Sequence, residues 1–198
     1  MSIGERKVED RGFSDYISSL IINYDLDKRQ IKSNLKILLC GSYNPSTELA
    51  RMIDIKTRLI NKGWKKTHLV KDYPIKVLKN RRPLIHCQEA ISDAGVIIFL
   101  FTKQGGGSDG RGMELSYILG TSYLIFKSYF IIEQDKDGTT YASELIQGEL
   151  DNNENKDIRF NTSYVPVDDI EHLIDTIESQ LVNHLEGSTR VIPTDSTL

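Results

Sequence analysis

The sequence predicts an α/β protein with a parallel sheet covered by helices on both faces, and three observations support this. Val96–Phe101 is a continuous apolar run rich in β-branched residues, as expected of a strand buried on both faces. Leu35–Cys40 has the same character, and both runs lead through glycine-containing residues into helical patterns. Further strands and helices alternate along the chain, an order typical of parallel sheets. We therefore expect five strands in a flavodoxin-like or Rossmann-like layer structure.

The predicted strands are short apolar stretches bounded by turn residues. The first ends at Gly41-Ser-Tyr-Asn-Pro-Ser, and the central one ends at the glycine-rich residues 105–112. A polar surface turn at 151–156 precedes the last strand. In chain order, the strands are expected at 35–40, 67–70, 96–101, 129–132 and 160–166.

The predicted helices follow from apolar residues at helical spacing and from capping residues. The helix from Thr47 ends at Asn61, because Gly63 closes it. The last helix, Asp168–Leu185, is amphipathic and is capped by its own aspartates. Pro74 and Pro83 bound a charged loop. Helices are expected at 47–61, 84–92, 114–122, 142–150 and 168–185.

The chain of 198 residues suits one domain with additional residues at both ends. Residues 1–34 are expected to form an N-terminal helical extension, since apolar residues recur there at helical spacing at 13, 16, 17, 20 and 21. Residues 35–185 form the domain, and residues 186–198 form a flexible tail.

Composition excludes several classes of function. A net charge of −3 and a pI near 5.8 give no reason to expect binding to nucleic acid or to an anionic membrane. The basic clusters at 62–66 and 79–82 are typical of solvated surface. Because no signal peptide or long apolar span is present, we expect a cytoplasmic protein. Cys40 and Cys87 lack metal-ligand spacing, so neither a metal nor another cofactor is expected.

Two loops at strand ends are the candidate binding elements. The loop after Cys40 and the glycine-rich loop after Phe101 face one crevice if their strands are adjacent and parallel. Glycines let the backbone approach a ligand, and helix-start N–H groups attract phosphate or carboxylate. The glycine-rich loop matches neither a Walker motif nor a dinucleotide fingerprint. Glu114 is expected in the first turn of the following helix, either as a site residue or as an ordinary helix-start preference.

Four segments resemble one enzyme family. They are Cys40-Gly-Ser, Leu84-Ile-His, Ser108-Asp-Gly-Arg-Gly-Met-Glu-Leu and Ser143-Glu-Leu-Ile-Gln-Gly. Together they resemble the nucleoside 2-deoxyribosyltransferase family, and especially its branch of 2'-deoxynucleoside 5'-monophosphate N-glycosidases. The resemblance covers residues 35–185 and implies a flavodoxin-like fold and a homodimer or larger homo-oligomer in which neighbouring subunits complete each site.

The resemblance also implies roles for individual residues. Glu114 matches the family's catalytic glutamate, which attacks or stabilises the anomeric carbon. Ser108 matches a serine that contacts the 5'-phosphate, and Ser143 matches a second phosphate-contacting serine from the adjacent subunit. Loop positions that wrap the substrate are matched by four residues, Gly41, Ser42, Gly110 and Gly112.

Three positions depart from the family pattern. The family's catalytic aspartate falls on Cys87 when counted from the strand, or on Glu89 when Leu84-Ile-His is matched. A thiol is a poor general acid for departure of a base, so Glu89 is the best available proton donor. The family tyrosine that orients the glutamate falls on Leu38, and a phosphate-binding arginine falls on Asn44.

The favoured hypothesis is a protein that acts on the N-glycosidic bond of a nucleoside or of a (deoxy)nucleoside 5'-monophosphate, as a hydrolase or a glycosyl transferase. Its expected partner is therefore a small nucleoside or nucleotide. Two alternatives stay open. One is a catalytically silent nucleotide-binding sensor or interaction protein. The other is a TIR-like NAD glycohydrolase, because that fold also places a glutamate on a helix after a central strand.

Overall fold

A five-stranded parallel sheet is the centre of the molecule. The computed structural model describes residues 28–44, 48–74, 83–103, 109–142, 144–151 and 161–189. All pairings in the sheet are parallel, and the strand order is β2-β1-β3-β4-β5. The strands are β1 (Lys36–Cys40), β2 (Lys66–Leu69), β3 (Val96–Phe101), β4 (Ser128–Gln134) and β5 (Thr162–Pro166).

Helices connect the strands, and a 3₁₀ turn at Val70–Asp72 follows β2. The helices of the described residues are α1 (28–34), α2 (Leu49–Asn61), α3 (Pro83–Asp93), α4 (Asp109–Leu119), α5 (Ser122–Phe126), α6 (Glu144–Asp151) and α7 (Ile170–Thr189). Within the described part of the chain, no helix is both long and apolar enough to cross a membrane.

The predicted fold class is confirmed, with one shift in helix boundaries that matters for the site. The helix expected at 114–122 is instead two helices, α4 and α5, and α4 begins five residues earlier than Glu114. Asp169 caps α7 as expected, since its Oδ1 accepts the backbone N–H of His172 at 3.0 Å. The helix predicted around residues 13–21, the turn at 151–156 beyond Asp151 and the tail beyond 189 lie outside the described residues.

Alternate side chains of each central strand enter two separate cores, as the pleat requires. On one face, α2 and α7 cover Ile37, Leu39, Ile98, Leu100 and Ile131. On the other face, α3, α4, α5 and α6 cover Leu38, Cys40, Ile97, Phe99, Phe101, Phe130 and Ile132. All of these strand residues are buried, which explains why β1 and β3 have little polar alternation.

The strand order creates a topological switch point between β1 and β3. The chain leaves β1 through α2 toward β2 on one side, and then crosses through α3 to β3 on the other side. Loops therefore diverge at the carboxyl ends of β1 and β3, where flavodoxin-like sheets bind their ligands. The prediction that the loops after Cys40 and Phe101 share one edge of the sheet agrees with the pairing of Cys40 with Phe99.

The stability of the fold should fall as the pH falls below about 6.5, the ordinary pKa of histidine. Burial lowers the pKa of His184, whose Nδ1 lies 3.1 Å from the Tyr129 hydroxyl, and burial lowers the pKa of His68 as well. Between the two pKa values, the histidines bind protons in the unfolded chain but not in the folded chain. Stability is therefore lost as the pH falls from the unfolded-state pKa through the folded-state pKa. Urea unfolding at pH 7.5 and 5.5 should show a smaller pH effect for His184→Asn than for the wild type. Equal pH effects would contradict this assignment.

Candidate functional site

The loop after β1 approaches its neighbours so closely that packing favours a glycine. A Cβ at Gly41 would lie 3.3 Å from the Leu100 carbonyl oxygen and 3.3 Å from Met52 Cε. Ser42 is also buried, and its Oγ accepts the backbone N–H of Asn44 at 3.4 Å. Gly41 thus has a packing reason of its own, while the proposed contacts of Gly41 and Ser42 with substrate stay predictions.

Glu114 lies on α4, which packs against the sheet face that contains Cys40. The thiol of Cys87 on α3 donates a hydrogen bond to Glu114 Oε1, with a sulfur–oxygen distance of 3.0 Å. Cys87 is buried and Glu114 is half-buried. The structure therefore brings together Glu114 and Cys87, one of the two residues onto which the resemblance places a catalytic aspartate.

The position of Glu114 in its helix weakens the simple explanation of a helix-start preference. Because α4 begins at Asp109, Glu114 is its sixth residue and lies in the second turn, not in the first turn as the sequence suggested. The favourable effect of the macrodipole on an acidic side chain falls off within the first turn. A tertiary contact, the hydrogen bond from Cys87, holds Glu114 Oε1 instead.

The negative charge of Glu114 helps to raise the pKa of three neighbouring groups. Burial, followed by the charge of Glu114, raises the pKa of the Cys87 thiol far above its usual value. The same two causes raise the pKa of Cys40, and burial with neighbouring charges raises the pKa of Tyr43. These groups stay protonated at neutral pH, so Cys87 acts as a hydrogen-bond donor and is unsuited to release a proton.

Tyr43 was not predicted as a site residue, because the resemblance places the tyrosine that orients the glutamate at position 38 of β1. Its hydroxyl donates to the Leu39 carbonyl oxygen and accepts the Val70 backbone N–H at 3.1 Å. The side chain therefore ties the end of β1 to the turn after β2. Leu38, where the family tyrosine would fall, is fully buried in the core. The only sequence signal for Tyr43 was an aromatic residue inside a strand-end loop.

Glu89 and Cys87 leave α3 on different faces. Two residues along a helix correspond to a rotation of about 200°. Cys87, Ala90, Ile91 and Ala94 form the buried face, and Glu89 is half-buried outside it. Cys87 is thus an α3 residue that hydrogen-bonds Glu114, and the role of Glu89 as proton donor stays a prediction.

Gly110 and Gly112 lie inside α4 and not in the preceding loop where the sequence placed them, and their contact with substrate stays a prediction. Two glycines in a first turn weaken a helix, which is why the sequence suggested a loop. The other two predicted contacts, Ser108 and Ser143, lie outside the described residues.

A buried ion pair supports the start of the glycine-rich loop. Arg51 of α2 pairs with Glu133 at the end of β4, and the other oxygen of Glu133 accepts the backbone N–H of Lys103 at 2.8 Å. Glu133 is 1% exposed, so removing Arg51 would leave a buried carboxylate without a charged partner. We refer to Arg51, Glu133 and the Lys103 N–H as the loop brace.

His86 has a structural role. Its Nε2 lies 3.0 Å from the Val70 carbonyl oxygen and so joins α3 to the turn after β2. In the described part of the chain, no group of three or more His, Cys, Asp or Glu side chains is arranged to hold a metal ion.

Comparison with known proteins gives no family for the chain, so its function is argued from the residues of the site. No protein-family model matches the chain, and a search of curated proteins finds no significant match.

Gly112→Ala should stabilise the fold and weaken ligand binding. Apart from its chain neighbours and the backbone of its own helix, a Cβ at this exposed position would have no atom of the described residues within 4 Å. Packing among these residues therefore does not require glycine there. Alanine in place of a helical glycine typically adds about 0.5–1 kcal/mol of stability. If a ligand lies against the start of α4, the added methyl group lowers its affinity. Calorimetry with deoxynucleoside monophosphates and thermal melting measure both effects.

Gly148→Ala in α6 is the matched control, because a Cβ there also has no atom within 4 Å. It should raise the melting temperature without changing ligand affinity. Equal affinities for wild type and Gly112→Ala would show that no ligand approaches α4 at this point.

Proposed function

We propose that the protein acts on the N-glycosidic bond of a nucleoside or of a (deoxy)nucleoside 5'-monophosphate, as a hydrolase or a glycosyl transferase. One observation carries the proposal. The carboxylate of Glu114 is held by the Cys87 thiol on a helix that follows β3, beside the switch point of the sheet. A site of this kind suits a reaction in which positive charge develops on a small ligand.

In the proposed reaction, the carboxylate of Glu114 faces the anomeric carbon as the bond to the base breaks. The developing oxocarbenium charge is stabilised electrostatically or by transient covalent attack, as with the carboxylates of glycosidases. The Cys87 thiol keeps one oxygen of Glu114 in place without competing as a base, because its raised pKa keeps it protonated. Glu89 is the proposed donor of a proton to the leaving base.

Recognition of a 5'-phosphate is proposed for Ser108, Ser143 and the start of α4. Backbone N–H groups of a helix start bind anions, and hydroxyl groups add neutral donors. The exposed Gly112 leaves this surface of α4 open to a ligand. The support for the two serines comes from the sequence resemblance alone.

A silent nucleotide-binding protein is the second candidate, and the thiol at the expected acid position favours it. The raised pKa of Cys87 makes this group a poorer acid than the family aspartate that it replaces. Binding of a nucleotide without release of its base would identify this function. Release of nicotinamide from NAD would identify the TIR-like alternative instead.

Glu114→Gln should abolish most base release while sparing folding. The amide is nearly isosteric but lacks the charge that faces the anomeric carbon, so we expect a loss of about 10²-fold or more in rate, or roughly 3 kcal/mol. Base release from a panel of deoxynucleotides, ribonucleotides and NAD is measured by chromatography, together with the melting temperature.

Cys87→Ser and Cys87→Ala form the control pair for this measurement. Serine keeps a donor to Glu114 and should retain more activity than alanine, which removes it. An unchanged rate in Glu114→Gln, with measurable release by the wild type, would reject the mechanism.

We also propose a homo-oligomer in which Ser143 of one copy approaches the Ser108 loop of another. Light scattering at micromolar concentration should then give at least twice the mass of one chain. Mixing Glu114→Gln with Ser143→Ala should restore activity if subunits exchange, because half the dimers are mixed and one of their two sites is intact. Activity should reach about a quarter of the wild-type value in a dimer with shared sites. A monomer, or no recovery after confirmed exchange, would contradict shared sites.

A further inference from the structure

Glu48 is a buried carboxyl group without a partner among the residues that the structure describes. The residue is 1% exposed, and within that part of the chain neither Oε1 nor Oε2 has a hydrogen-bond partner. Glu133 is equally buried at the same edge of the sheet, but it is fully engaged in the loop brace. Arg51, one turn along α2 from Glu48, directs its charge to Glu133.

The position of Glu48 places it at the switch point. It precedes α2 by one residue and continues the buried stripe formed by Met52, Ile55 and Leu59, at helical spacings of four, three and four residues. Met52 lies against Gly41, at the ends of β1 and β3. One further turn, about 6 Å along the axis, carries Glu48 beyond those strand ends.

Thr102 gives a second, independent sign of a polar ligand at this edge. It directly follows β3 and is 6% exposed, and its Oγ1 has no hydrogen-bond partner among the described residues. By the alternation of β3, Thr102 continues the face of Ile98 and Leu100, which is the face that α2 covers. Thr102 and Glu48 therefore belong to the same face of the sheet. Thr102 lies beyond the end of β3, and Glu48 lies at the start of α2.

A carboxylate in this environment opposes folding. Burial removes water from both carboxyl oxygens, and no donor or cation in the described part of the chain replaces that water. A glutamine or a methionine would fill the same position at lower cost to the fold. Side chains that oppose folding in this way are typical of binding sites, where a ligand supplies the missing partner.

We propose that Glu48 recognises the substrate by accepting two adjacent hydrogen bonds from it. This inference rests on the proposed function and names the chemistry of the substrate. Two groups of a nucleotide present such paired donors: the N1–H and 2-amino group of guanine, and the 2'- and 3'-hydroxyls of a ribose. Glu48 contacts the ligand from the α2 side of the crevice, and Glu114 contacts it from the α4 side.

Calorimetry in a Glu114→Gln background tests the proposal without cleavage of the ligand. The ligands are dGMP, dIMP, which lacks the 2-amino group, and GMP, which has the ribose diol. Adding Glu48→Gln should lower the affinity for the recognised ligand at least about tenfold, because the amide offers one acceptor oxygen where two are needed. A loss for dGMP that exceeds the loss for dIMP assigns the guanine edge. A loss confined to GMP assigns the diol.

Melting temperatures separate recognition from a purely structural role. Glu48→Gln should raise the melting temperature, because it removes a buried carboxyl group that has no partner among the described residues. Glu133→Gln is the matched control and should lower it, because Glu133 has two partners. A fall in melting temperature for Glu48→Gln, or equal affinities for all three nucleotides with and without it, would overturn the inference.

The outcomes also distinguish this inference from the proposed function. If the wild type releases a base and Glu48→Gln changes no affinity, the inference alone fails. If Glu48→Gln weakens binding while the wild type releases no base, the inference holds and catalysis fails. If none of the three nucleotides binds, both are rejected.

Discussion

The pairing of β1 with β3 is the constraint on which the rest of the structure depends. Four consecutive residue pairs, from Ile37 with Val96 to Cys40 with Phe99, join two strands whose side chains are almost completely buried. Because the chain diverges at their carboxyl ends, the pairing fixes both the two cores and the crevice between two loops. A shift of one residue would exchange the two faces of β1 and place Cys40 in the other core.

The two carboxylates at the site show opposite ways of holding a charge. Glu114 is half-buried and accepts a hydrogen bond from Cys87, a contact made only when α3 and α4 pack on the same sheet face. Glu48 lies on the other face, where it is buried and has no partner within the described ranges of the chain. In the loop brace, between β4 and α2, Arg51 is paired with Glu133 and is therefore not the partner of Glu48. The sheet thus separates one stabilised carboxylate from one that needs an external partner.

Sequence alone predicted the sheet and missed much of the site, for physical reasons. The apolar runs of β1 and β3 reflect burial on both faces, which composition reveals. The start of α4 was misjudged because Gly110 and Gly112 are poor helix formers. The Cys87–Glu114 bond depends on the packing of two helices, and no spacing along the chain encodes it. The burial of Glu48 was equally invisible, because acidic residues near helix starts are usually exposed.

The buried thiols give the molecule an internal chemical reporter. Only thiolates react rapidly with alkylating reagents, and burial raises the pKa of both Cys40 and Cys87. Reaction therefore requires that α3 separate from the sheet, so the labelling rate measures the free energy of that local opening. Cys87 lies against Glu114 and Cys40 ends β1. The two labelling rates would show whether the helix and the strand open together or as separate units, and no additional cysteine has to be introduced.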